Sequence, residues 1–142
     1  MTLPLVHAAA TWFMTGLIWF VQGVHYPLMG QVGRAEAAGY AAAHQRRVSL
    51  IVIPVMLVEA ITALALVASP PTGTGRVLPG LGLAMLVFIW AATAMLTMPM
   101  HGLLLAGTDP RAHRRLVLSN WIRTILWTAR AVVASLLLLS AR

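Results

Sequence analysis

The stretch VSLIVIPVMLVEAITALALVA, Val48 to Ala68, is 21 residues long and carries one charge, Glu59. At 1.5 Å per residue, a helix of that length rises about 30 Å, the thickness of a bilayer's hydrocarbon layer. In lipid every backbone N–H and C=O must be satisfied within the protein, which a helix achieves and an open strand does not. The run therefore reads as a membrane-crossing helix. Glu59 lies eleven residues into it, which is about 16 Å deep.

Three further runs repeat the pattern, from about Leu5 to Met29, Leu81 to Ala106 and Leu116 to Leu139. Hydrophobic residues make up 60% of the 142-residue chain and charged residues only 9%, against about 25% charged in a soluble domain. That much apolar surface exceeds what a core of this size can hide. The first run lacks a basic leader and a small-residue cleavage site, so it reads as a retained helix rather than a signal peptide. The fold class expected is all-α, a transmembrane four-helix bundle forming one domain over residues 1–142. Pro54 and Pro99 lie inside runs and predict kinks.

The net charge is +7, all from arginine, since lysine is absent. No basic stretch is interleaved with exposed aromatics, which argues against nucleic acid as a partner. Cysteine is absent too, excluding disulfides, thiolate metal sites and thiol catalysis. Between the first and second runs, GRAEAAGYAAAHQRR is polar and alanine-rich, and predicts a short interfacial helix. SPPTGTGRVLPG, from Ser69, is a turn-rich loop, and Asp109 before Pro110 reads as a helix start. The first and third connections hold Arg34, Arg46, Arg47, Arg111, Arg114 and Arg115, against Arg76 and Arg142 on the other side. The positive-inside rule makes the first side cytoplasmic and both termini extracytoplasmic.

Chain reversal brings polar residues to common depths. His25, His44 and His101 all fall near the arginine-rich end, as does Asn120. Arg123 and Arg130 lie about 10 and 21 Å into the fourth run, on either side of Glu59. Asn120, Arg123, Trp127 and Arg130 share a helical face. So do Arg47, Ile51, Val55, Glu59 and Thr62 on the second helix, while Gln22, His25 and Tyr26 fall together on the first. Arg123 near a helix end reads either as snorkelling to phosphate, as a partner of Glu59, or as the clamp of an anionic ligand such as a propionate. His7 and His113 have no such company and read as structural. Met95, Met98 and Met100 suggest copper less than packing.

Imidazole and carboxylate suit a nonhaem iron or copper ion, and two histidines on different helices also bracket a haem, with Gly16, Gly23, Gly102 and Gly107 giving it room. On this reading His25 and His101 are metal or haem ligands across a pocket, with His44 at its mouth. Asn120, Arg123 and Arg130 complete the cofactor site, and Glu59 with His44 handles protons. The function expected is a membrane oxidoreductase or oxygenase-like protein acting on a small lipophilic substrate among membrane lipids. The competing readings are a non-catalytic accessory subunit of a larger membrane complex, with the polar seam a buried ion-pair network, or a small transporter, for which a homo-oligomer is the natural form.

At His25-Tyr26-Pro27, Tyr40-x-x-x-His44, Pro54-x-x-x-x-Glu59, Pro99-x-His101 and Asn120-Trp121-x-Arg123-Thr124, the chain resembles small bacterial four-span membrane proteins over nearly its whole length. In layout it is also similar to anthrone-oxygenase-like proteins and to the small haem-binding membrane form of protoporphyrinogen oxidase. That second resemblance implies haem ligation by His25 and His101. The family's Asn-x-x-Pro-like element departs here, where Asn120 is followed by Trp121 and Arg123 without a proline.

Overall fold

The computed structural model describes residues 2–106 and 110–141, without the side chains of 103–106 and 110. Four helices long and apolar enough to cross a membrane fill it, over Thr2–Met29, Arg34–Ala68, Val77–Gly102 and Arg111–Ser140. They are called here the first to fourth spans. No strand occurs among the described residues. The helices run past the apolar stretches at several ends. Pro110 starts the fourth, where its missing N–H costs nothing. Asp109 and Gly107 lie outside the described residues.

The interfacial helix expected between the first two spans is not a separate element. Arg34 to Ala68 is one 35-residue helix. Alanine dominates residues 35–43, Gly39 costs only about 1 kcal/mol, and nothing there stops a helix. The whole rod is about 52 Å long, well beyond a hydrocarbon layer of about 30 Å. At its other end a turn with Gly73 and Gly75 in left-handed conformation (φ 85° and 60°) reverses the chain, a backbone region that glycine enters without a Cβ clash.

The prolines act unequally. Pro54 is accommodated inside the continuous second helix. The first and third spans instead each contain one π-helical turn, Val21–His25 and Thr93–Thr97. Pro27 and Pro99 follow them by two residues. A proline ring clashes with the carbonyl four residues back, which is Gly23 for one and Met95 for the other, both inside the widened turns. Each π turn takes up one extra residue, and so advances everything beyond it by about 100° around the helix.

The principal helix contacts run first to second, second to third, third to fourth and fourth to first. The first and third spans, and the second and fourth, thus face each other across the diagonals. Apolar layers fill the interior at three levels: Tyr26, Met29 and Leu116 at the arginine-rich end, Met14, Ile18, Ile89 and Trp127 at the middle, Leu66, Val133 and Leu137 at the far end. The outside is apolar as well, with Leu50, Ile61, Val87 and Ile125 well exposed. Lipid removes the usual hydrophobic drive between helices, leaving close packing and hydrogen bonds to hold them. Thr15 Oγ1 accordingly shares its proton between the Thr11 carbonyl at 2.8 Å and, across the helices, the Trp127 carbonyl at 3.1 Å. Trp12 and Trp19 donate to Ser135 and Thr128, each at 3.0 Å. Trp12 thus stitches the first span to the fourth.

Candidate functional site

A polar column runs along the bundle axis at two levels. At the deeper one, Glu59 and Arg130 meet across the second-to-fourth diagonal, both essentially without exposure (0% and 1%). Arg130 Nε donates to Glu59 Oε1 at 3.1 Å, and Nη2 lies 3.0 Å from the same oxygen as an ion-pair contact rather than an aligned hydrogen bond. Trp127 Nε1 donates to Oε2 at 3.2 Å. Arg130 Nη1 donates to the Gly82 carbonyl. His7 joins this level by a 2.8 Å bond between Nδ1 and Thr62 Oγ1. The Thr62 hydroxyl points its proton at backbone carbonyls, Val58 O foremost at 2.7 Å, so His7 Nδ1 is the donor.

The second-helix stripe read from the sequence holds only in its deeper half. Glu59 and Thr62 are buried, whereas Arg47 and Ile51 are exposed. The fourth-helix face is buried throughout, at Asn120, Arg123, Trp127 and Arg130.

The second level lies nearer the arginine-rich end. Arg123 Nη1 donates to Asn120 Oδ1 at 3.1 Å, Asn120 Nδ2 to Gln22 Oε1 at 2.8 Å, and Gln22 Nε2 to the Val117 carbonyl at 3.4 Å. The guanidinium packs over the Trp127 ring, 5.3 Å from its centroid, and lies beside the Tyr26 phenol. The Tyr26 hydroxyl is 3.4 Å from His101 Nε2. His113 Nε2 donates to the Tyr26 carbonyl at 2.8 Å, tying the start of the fourth span to the end of the first.

All three candidate histidines come together, but in a different order from the one expected. His44 is not at the mouth: its ring stacks on His25 at 3.8 Å between centroids and lies 6.4 Å from His101. It is the ring that contacts both. His25 and His101 belong to diagonal helices that run the same way, and His44 reaches between them from the long second helix. Tyr40, one turn earlier on that helix, stacks near His25 at 6.0 Å. With an imidazole in the middle, the slot for a haem between His25 and His101 is filled. Gly16, Gly23 and Gly102 open no slot either, because they face outward. A haem does not fit this arrangement.

A single metal ion is a different matter. Among the described residues, no group of three or more His, Asp or Glu is arranged to hold one. The stacked His25 and His44 turn faces rather than nitrogens to each other. The donor set is nevertheless of the right kind, and His25 Nε2 is buried without a hydrogen-bond partner. Such an atom needs a proton partner or a ligand.

Compared with protein-family models, curated proteins and solved structures, the chain shows no significant match. The fold and column define a class: a four-helix bundle of membrane-spanning proportions, with an ion pair on its axis and an imidazole cluster at one end.

Proposed function

We propose that this chain is an integral membrane oxidoreductase whose chemistry takes place at the cluster of His25, His44 and His101, on a small lipophilic substrate. The observation that carries the reading is the convergence of three imidazoles from three spans at one level, with His25 Nε2 buried and unpartnered. Nonhaem iron or copper suits these ligands and would supply electron transfer or Lewis acidity. The chain's own groups do the rest. Tyr26, bonded to His101, orients that imidazole and exchanges a proton with it. Asn120 and Gln22 form a rigid wall. Glu59, expected from the sequence to handle protons, has its carboxylate engaged by Arg130 and Trp127, so in this reading it is a positioning residue. The protein would sit in a bacterial inner membrane with its arginine-rich connections cytoplasmic, which a reporter fused to the C-terminus checks directly.

The test is metal analysis with an absorption spectrum of detergent-purified protein. Iron or copper near one per chain without a Soret band is expected, lost in His25→Ala, His44→Ala and His101→Ala and kept in His7→Ala. A metal-free preparation that stays metal-free after incubation with iron and copper salts would sink the reading.

A further inference from the structure

The interior charges do not balance. The chain has three acids, Glu36, Glu59 and Asp109. Glu36 is exposed in the first turn of the second helix, and Asp109 lies outside the described residues. Glu59 is committed to Arg130, in the ion pair found among the described residues. Arg123, 8% exposed, is left without a carboxylate. It lies eight residues beyond Arg115, about 12 Å further into the bundle, and a buried arginine there is costly unless it is paired.

Its hydrogen bonds are incomplete as well. A guanidinium has five N–H groups and no acceptor, and Arg123 Nε has no partner. The chain Arg123 to Asn120 to Gln22 to Val117 carbonyl is directed outward at every step. It uses up an N–H without supplying negative charge. On the third span the Thr97 hydroxyl is buried and unpartnered too, four residues before His101 and on its face. The outer surface beside these residues is a groove of about 480 Å³ between the third and fourth spans. Met95, Leu96, Met100 and Leu118 line it, with Arg115 and Ser119. Leu96 adjoins Thr97, and Ser119 adjoins Asn120.

We propose that Arg123 is the binding site of a lipophilic monoanion, a carboxylate or phenolate, whose apolar tail leaves the bundle through the groove between the third and fourth spans. The guanidinium supplies charge and the unpartnered N–H at Nε. The ligand's head then lies beside His101, so this site names the substrate class for the proposed oxidoreductase. Only the word substrate rests on that reading; the anion site stands without it.

The probe is dibrominated stearate, compared with its methyl ester in neutral detergent, at a pH well above the carboxylic range. Binding is read by quenching of tryptophan, since Trp127 lies against Arg123, and by the rise in thermal midpoint. The wild type binds the acid at least about tenfold more tightly than the ester, which corresponds to about 1.4 kcal/mol. Arg123→Gln abolishes the preference, Arg123→Lys retains part of it, and Arg47→Gln, at an exposed arginine outside the groove, keeps it. Equal binding of acid and ester to the wild type overturns the proposal. So does a preference that survives undiminished in the two Arg123 variants, or one lost in Arg47→Gln. Metal content measured on the same samples separates the two ideas: protein without metal but with acid preference leaves the anion site standing and the redox reading refuted.

Discussion

Neutralising Glu59 should cost this protein more stability than any other single change to an acid in it. With an effective dielectric of about 20, opposite charges 3.0 Å apart attract by about 5.5 kcal/mol. Part of that is already offset by desolvation of both groups, and removal of one partner from a buried pair costs about 3–5 kcal/mol. Glu59→Gln keeps an acceptor for Arg130 but turns an NH2 toward Trp127 Nε1, donor against donor, so the loss should reach the upper part of that range. Arg130→Met should lose a comparable amount, since Gly82 O and Glu59 are both abandoned. The combined Glu59→Leu and Arg130→Met variant should lose less than either single change, because no charge remains buried alone. Glu36→Gln, at an exposed helix start, should shift stability by about 0.5 kcal/mol or less. Thermal and denaturant midpoints in one detergent measure all four. Single variants within about 1 kcal/mol of wild type, or a double loss equal to the sum of the singles, would refute the pairing argument.

Trp127→Phe keeps the ring under Arg123 but deletes the N–H to Glu59; a loss of about 1–3 kcal/mol is expected, and an unchanged midpoint would remove Trp127 from the network. Gly30→Ala places a Cβ 2.8 Å from His113 Cε1, so it should expel His113 from the Tyr26 carbonyl and loosen the first-to-fourth junction, visible as faster hydrogen exchange at residues 26–30. Pro99→Ala removes the clash that widens the third span. Its π turn should close and swing the helix segments on either side by about 100° relative to each other, separating His101 from Tyr26, and a structure of the variant with the turn intact would count against that cause.

The helix count was legible because length and apolarity are enough to define a span in lipid. That Glu59 meets an interior arginine of the fourth span was legible for a related reason: depth along a helix is fixed by residue number, and a lone acid in hydrocarbon must find a cation near its own depth, though depth alone left Arg123 and Arg130 both open. Lateral position was not legible. Nothing in the sequence says that the second and fourth spans are diagonal, or that His44 reaches between His25 and His101 instead of capping a pocket. His44 was misplaced because residues 34–47 read as a separate surface helix, when their alanine content in fact carries the span outward without a break. The π turns rest on prolines two residues downstream, a signal present at both Pro27 and Pro99. A phase drawn at 3.6 residues per turn passes over it. Arg47 and Ile51 joined the Glu59 stripe for another reason: it was drawn in steps of four residues, each of which drifts by about 40° around an α-helix.

The diagonal pair also bears on how the chain reaches its final state. Spans enter the membrane in order of synthesis, and each arginine at the centre of a helix opposes insertion by about 2.5–3.5 kcal/mol. Within its apolar run the fourth span carries two, Arg123 and Arg130, and it comes last. By then the second span has already placed Glu59 in the bilayer, as a receptor for Arg130. Insertion of the last helix should thereby depend on an earlier one that faces it only across the diagonal, and the ion pair should act as a checkpoint in biogenesis. A chain lacking Glu59 should be left with its fourth helix stalled at the membrane surface, exposed to the cell's quality-control proteases.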